Sequence, residues 1–132
     1  MNKEELTNTR FGIYVRTACR EDLSDEHNCI QNQLTLSTDY LLKHNLIKVN
    51  EFIDNGYSGM DMKRPAFSRL LEAIRNKEID GIIIKDLSCL GRNRHKLSKF
   101  FADCKENHIR VISIFNQLDT KDNLIDDKFL FL

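Results

Sequence analysis

The chain has no run of about 18 apolar residues, so nothing in it reads as a membrane-spanning helix. Its start, MNKEELTNTR, is polar and lacks an apolar core, so it does not read as a secretion signal. It has no net charge, with 20 Lys and Arg against 20 Asp and Glu. Composition alone therefore makes no global case for a nucleic-acid partner. The four cysteines, Cys19, Cys29, Cys89 and Cys104, include no CxxC pair and no histidine at zinc spacing. This argues against a metal site and for reduced thiols in a cytoplasmic protein. Repeats and low-complexity segments are missing too. No G-x-x-x-x-G-K-[ST] loop occurs and no G-x-G-x-x-G follows the first apolar run, which disfavours a P-loop or dinucleotide binder. Nothing in the chain calls for a cofactor.

What is present suits one soluble α/β domain. At 132 residues, with 41% apolar and 30% charged residues, the chain can build a real core. Four short apolar runs read as strands: Phe11 to Arg16, Ile47 to Ile53, Gly81 to Lys85, and Arg110 to Phe115. Poor alternation in the first suits a strand buried on both faces. Three stretches between them read as helices. The first runs from Asn28 to about His44, with Asn28 as N-cap, Gln31 completing a capping-box-like pair, and Ile30, Leu34 and Leu41 on one face. Pro65 opens the second, where Phe67, Leu70, Leu71 and Ile74 follow at helical spacing. The third spans about Arg94 to Asn107 and buries Leu97, Phe100, Phe101 and Cys104. The order predicts a mostly parallel sheet of four or more strands with helices on both faces. The polar stretch Asp119 to Asp127 and the closing FLFL read as the start of an element that is cut off or docks on a neighbour.

In such a sheet, ligands sit beyond the carboxyl ends of the strands. Arg16 ends the first strand, Arg64 follows the second, and Asp86 to Arg92 follow the third. One arginine alone is most simply a solvated surface residue. Three at one sheet edge, with Ser58-Gly59 allowing close backbone approach, point to a phosphate site, because guanidinium forks match phosphate oxygens in pairs. Lys85 to Lys99 adds a local basic patch of five Lys or Arg against one Asp. The lone histidines, His27, His44, His95 and His108, have no partner spacing and read as surface or helix-end residues.

Four segments carry a resemblance. They are Tyr14-Val15-Arg16-Thr17-Ala18, Cys29-Ile30-Gln31-Asn32-Gln33, Asp54 to Pro65, and Asp86-Leu87-Ser88-Cys89-Leu90-Gly91-Arg92. Their order and spacing resemble the catalytic domain of serine site-specific recombinases, the resolvase and invertase group, and most of all its large transposon-type members. The likeness covers roughly residues 10 to 120. It implies a resolvase-like N-terminal catalytic domain filling residues 1 to 132. It also implies a partner, DNA, and a homo-oligomer (a dimer, and a tetramer on DNA) in the full-length protein, with no membrane involved. The reaction implied is cleavage and rejoining of DNA strands, as in recombination or integration, through a 5′-phosphoserine link, with no metal. Carried over by motif, Arg16, Arg64 and Arg92 match phosphate-binding arginines, with Ser58 beside them. Tyr14 matches a supporting tyrosine, and Asp86 matches the acidic start of the third loop.

The pattern is broken at two places that bear on chemistry. The nucleophilic serine of the family falls on Ala18, and the first arginine of its RLGR pair falls on Cys89. A third, milder departure puts Cys29 where the family has serine. Cys19 lies one residue past the nucleophile position, and a thiolate beside Arg16 and Arg20 would be reactive. A one-residue slip past a strand end re-aims a side chain, however, so Cys19 reads as a bystander. The expectation is a recombinase catalytic domain that is impaired as it stands. The alternative is an inactive resolvase-fold module used for oligomerisation or DNA-associated regulation.

Overall fold

The structure, a computed structural model, describes residues 9–22, 24, 28–57 and 63–121. Five strands form one sheet: β1 (Arg10–Thr17), β2 (Ile47–Asn55), β3 (Gly81–Ile84), β4 (Arg110–Ser113) and β5 (Leu118–Asp119). Three helices connect them: α1 (Cys29–Lys43), α2 (Pro65–Arg75) and α3 (Arg94–Glu106). The spatial order is β2-β1-β3-β4-β5. The first four strands are parallel, and β5 returns antiparallel to β4.

Burial follows the strand alternation. On one face, Phe11, Ile13 and Val15 of β1 meet Ile83, Ile112 and the apolar stripe Ile30, Leu34 and Leu41 of α1. On the other, Tyr14, Phe52, Ile82 and Ile84 meet Leu70 and Ile74 of α2 and Leu97, Phe100 and Phe101 of α3. Helices thus cover both faces, as the βαβ order predicts. The sheet centre is tight at Gly81, where an added Cβ would lie 2.4 Å from the ring of the fully buried Phe11.

Two helices start on an Asn side-chain cap, Asn28 as read from the sequence and Asn93 as found in the structure. Asn28 Oδ1 accepts the Gln31 N–H at 2.8 Å, and Asn93 Oδ1 accepts the Lys96 N–H at 3.1 Å. Pro65 takes the first position of α2, where its missing N–H costs nothing. The far side of the sheet differs most from expectation. The fourth strand stops at Ser113 instead of running to Phe115, because residues 114–117 turn back. That turn leads to β5, which sequence periodicity missed: two residues are too few for a period. Arg110 Nη2 clamps β5 through Asp119 Oδ2 at 2.6 Å.

The helix following β1 packs on one face and the helix following β3 on the other. Their chain ends therefore diverge, which leaves a crevice between the carboxyl ends of β1 and β3. Arg16 and the segment from Lys85 to Cys89 lie at this switch point.

Candidate functional site

An open cleft of about 400 Å³ occupies the crevice, lined from β1 by Arg16, Ala18 and Cys19 and from β3 by Lys85, Ser88 and Cys89. A single turn of 3-10 helix, Leu87–Leu90, shapes the second wall. Asp86 caps this turn. Its carboxylate accepts the Ser88 N–H at 2.9 Å and also the Ser88 hydroxyl, which folds the loop back over β3. Gly91, at φ 120, then redirects the chain into α3 in a conformation that side chains rarely adopt.

Arg16 reaches across the crevice. Its Nε donates to the Cys89 carbonyl at 3.2 Å, Nη2 to the Ser88 carbonyl at 2.6 Å, and Nη1 to the Tyr57 carbonyl at 3.1 Å. A guanidinium carries five N–H donors, so one on each Nη is left for an anion in the cleft. Arg64 approaches the same Cys89 carbonyl from beneath, at 3.5 Å, and also donates to the Tyr14 hydroxyl at 3.4 Å. Its guanidinium lies 4.2 Å from the centre of the Phe67 ring.

Below them is a buried polar knot. Tyr14 donates its hydroxyl to Asp54 Oδ2 at 2.7 Å. Asp54 also accepts the N–H groups of Ala66 at 2.8 Å and Phe67 at 3.0 Å, so it caps α2 from a neighbouring strand. This supplies the cap that Arg64, a pure donor at the N-cap position, cannot make. Burial, and then the bond to Asp54, push the Tyr14 pKa far above that of an ordinary phenol. Tyr14 therefore stays a neutral donor.

The segment carrying Ala18 is pinned on both sides. Asn55 Oδ1 accepts from the Glu21 N–H at 2.7 Å and from the Thr17 hydroxyl at 3.2 Å, while Asn55 Nδ2 donates to the Glu21 carbonyl at 2.8 Å. Glu21 Oε2 in turn accepts the Cys29 N–H at the start of α1, at 2.7 Å. Ala18 is exposed on this braced turn. Cys89, which also lines the cleft, is almost closed off from solvent. Its thiol is 5% exposed and donates to Gln33 Oε1 at 3.5 Å, and burial pushes its pKa up. Gln33 Nε2 bonds Cys29 Sγ at 3.2 Å.

This arrangement matches a known family over almost its whole length. The family described as "Resolvase, N terminal domain" matches residues 12–131. The chain belongs to the resolvase N-terminal domain family. The N-terminal catalytic domain of TP901-1 integrase superposes on this resolvase domain with a TM-score of 0.78 at 27% identity, over 92% of this chain and 89% of that one. A resolvase family site-specific recombinase from Streptococcus pneumoniae gives 0.77 at 18% identity, over 92% and 83%. The C-terminal catalytic domain of ISC1926 TnpA, an IS607-like serine recombinase, gives 0.70 at 18% identity, over 80% and 70%. The last two show the shared fold. No curated protein matches the sequence.

Within this resolvase domain the predicted arginines divide. Arg16 and Arg64 converge on one carbonyl, but Arg64 is only 8% exposed and so lacks the open access that a phosphate-binding arginine needs. Arg92 does not share that carbonyl; it is exposed just beyond Gly91. Ser58 and Gly59 lie outside the described residues, as do His27 and the closing FLFL. Asp54, Asn55 and Gln33 lie within the motif segments but were given no role from sequence. Asp54 opens the third motif, and its place there was the available signal. Among the described residues no group of His, Cys, Asp or Glu is arranged to hold a metal ion, and no helix is long and apolar enough to cross a membrane.

Proposed function

We propose that this chain is a serine-recombinase catalytic domain that holds a DNA phosphodiester at the β1/β3 cleft but lacks the atom that would attack it. The observation that carries the reading is Ala18, a methyl side chain on a braced, exposed turn two residues after Arg16. In the family reaction a serine Oγ attacks phosphorus, the P–O3′ bond breaks, and the 3′ oxygen leaves as a hydroxyl. The protein stays joined to the 5′ phosphate. Ala18 cannot form that bond.

Arg16 is assigned the phosphate, through its two remaining donors. Arg92 and Ser58 are assigned to the same anion. Arg64 reaches it only by leaving the Cys89 carbonyl and the Phe67 ring; where it stands, it steadies Tyr14 and the third loop. Asp86 shapes that loop through Ser88. Cys89 brings no charge to a site that must stabilise a phosphorane, and losing one such contact commonly costs about 10²–10³ in rate. The guanidinium groups would supply the electrostatic stabilisation without a metal. The working partners are DNA in the cytoplasm and further copies of the protein.

The test is a suicide substrate with a nick beside the cleavage site, scored for a covalent protein–DNA band. The unmodified chain should give none, and Ala18→Ser should give a faint one. A band from the unmodified chain that vanishes in Cys19→Ala would make Cys19 the nucleophile and overturn the assignment.

A further inference from the structure

Phe115 is an apolar ring held out in water at the same sheet edge, 61% exposed. Its turn is fixed from three sides. The Phe115 N–H donates to the Lys85 carbonyl at 2.8 Å, and Ile114 N–H to the Ile84 carbonyl at 3.0 Å. Asn116 Oδ1 accepts the Leu87 N–H at 3.0 Å and the Ser113 hydroxyl at 2.6 Å. The turn is thereby tied to the loop that carries Ser88 and Cys89. The Lys85 ammonium lies 5.2 Å from the centre of the Phe115 ring, and Lys85 also lines the cleft beside Arg16.

Among the described residues the other exposed large apolar ones, Leu42, Ile47 and Val49, belong to the end of α1 and the start of β2, at the opposite end of the sheet. Among the described residues Phe115 therefore joins no contiguous apolar patch of the kind that docks a protein. A single rigid ring beside an ammonium suits a different ligand. A nucleobase offers a π-face to the ring, and the phosphate next to it offers charge to the lysine.

We infer that Phe115 and Lys85 form a stacking platform for an unpaired base flanking the phosphate held at the cleft. This rests on the DNA reading above and adds what that reading does not contain: a preference for DNA with an unstacked base. The base stacks on Phe115, Lys85 takes the adjoining phosphate, and the contact tolerates any base, because all four present a π-face.

The probe is a short duplex carrying one unpaired 2-aminopurine, compared with the same duplex fully paired, with affinity and 2-aminopurine fluorescence both read. The unmodified chain should bind the unpaired probe roughly tenfold more tightly and quench its fluorescence, as expected for one base stacked on an aromatic ring. Phe115→Ala and Phe115→Leu should abolish the preference and the quenching while binding the paired duplex as before. Phe115→Trp should keep both. Equal affinity for the two duplexes, or a preference that survives Phe115→Ala, overturns the platform while leaving the DNA reading intact. Absence of any salt-sensitive binding to either duplex, with no effect of Arg16→Ala, defeats the DNA reading itself and the platform with it. A drop in melting temperature for Phe115→Ala without any change in binding assigns the ring to folding and also overturns the platform.

Discussion

Tyr14 donates its hydroxyl to Asp54 across 2.7 Å with both side chains out of solvent, 0% and 1% exposed. This one bond couples β1 to β2, and through the two N–H groups that Asp54 accepts it couples both strands to the start of α2. Arg64 leans on the same hydroxyl, so the cleft floor and the helix cap are one unit.

Breaking that unit should be costly. Tyr14→Phe removes one donor from a buried acceptor and should destabilise by about 1–3 kcal/mol. Asp54→Ala should cost more, since the phenol and two helix N–H groups then lose their acceptor together. Urea unfolding measures both. Equal stabilities would mean that the knot does not bear on the fold.

Gly81→Ala tests the packing at the sheet centre. The new Cβ would fall within 2.4–2.9 Å of three atoms of the Phe11 ring, which is fully buried and has no room to retreat. The overpacking should cost about 1–3 kcal/mol in urea unfolding.

The four thiols should divide by burial. Cys19 and Cys29 are exposed, and Cys89 and Cys104 are buried. A disulfide-exchange reagent should titrate two thiols quickly and two only on unfolding. Burial, aided by Asp103, pushes the Cys104 pKa up to about 12 from an unfolded value of 9.0. A raised thiol pKa means that the folded state holds its proton longer. Its contribution is complete below the unfolded pKa and is lost as pH rises towards the folded one. Stability should therefore decline above about pH 9, and less steeply in Cys104→Ala.

The β5 clamp should respond to acid instead. Burial alone would raise the Asp119 pKa, but bonds from Arg110 and from the Lys121 N–H outweigh it and leave the carboxyl below its usual 3.8. The clamp is therefore fully present above that value and is lost as pH falls below it. Asp119→Asn should cost roughly 1.5–3 kcal/mol at neutral pH, with the difference fading in strong acid.

Much of this architecture was legible beforehand, and for definite reasons. Buried parallel strands appear as unbroken apolar runs such as Gly81 to Ile84, and two helix starts carry Asn28 and Pro65 as chemical markers. β5 was not legible, because Leu118–Asp119 is too short to show alternation and looks like polar loop. The burial of Arg64 was not legible either. It depends on Phe67, Tyr14 and the Cys89 carbonyl, which come from three separate elements. The inward turn of Cys89 depends likewise on Gln33, 56 residues away. Local patterns report a residue's own element, whereas these contacts exist only after the elements pack.

The central claim, a phosphate-binding cleft with no attacking atom, is tested most directly on the nicked suicide substrate. The unmodified chain should form no covalent DNA band under conditions where Ala18→Ser forms a faint one that disappears when Arg16→Ala is added. A covalent band from the unmodified chain, surviving Cys19→Ala, would show that another residue attacks and would contradict the account.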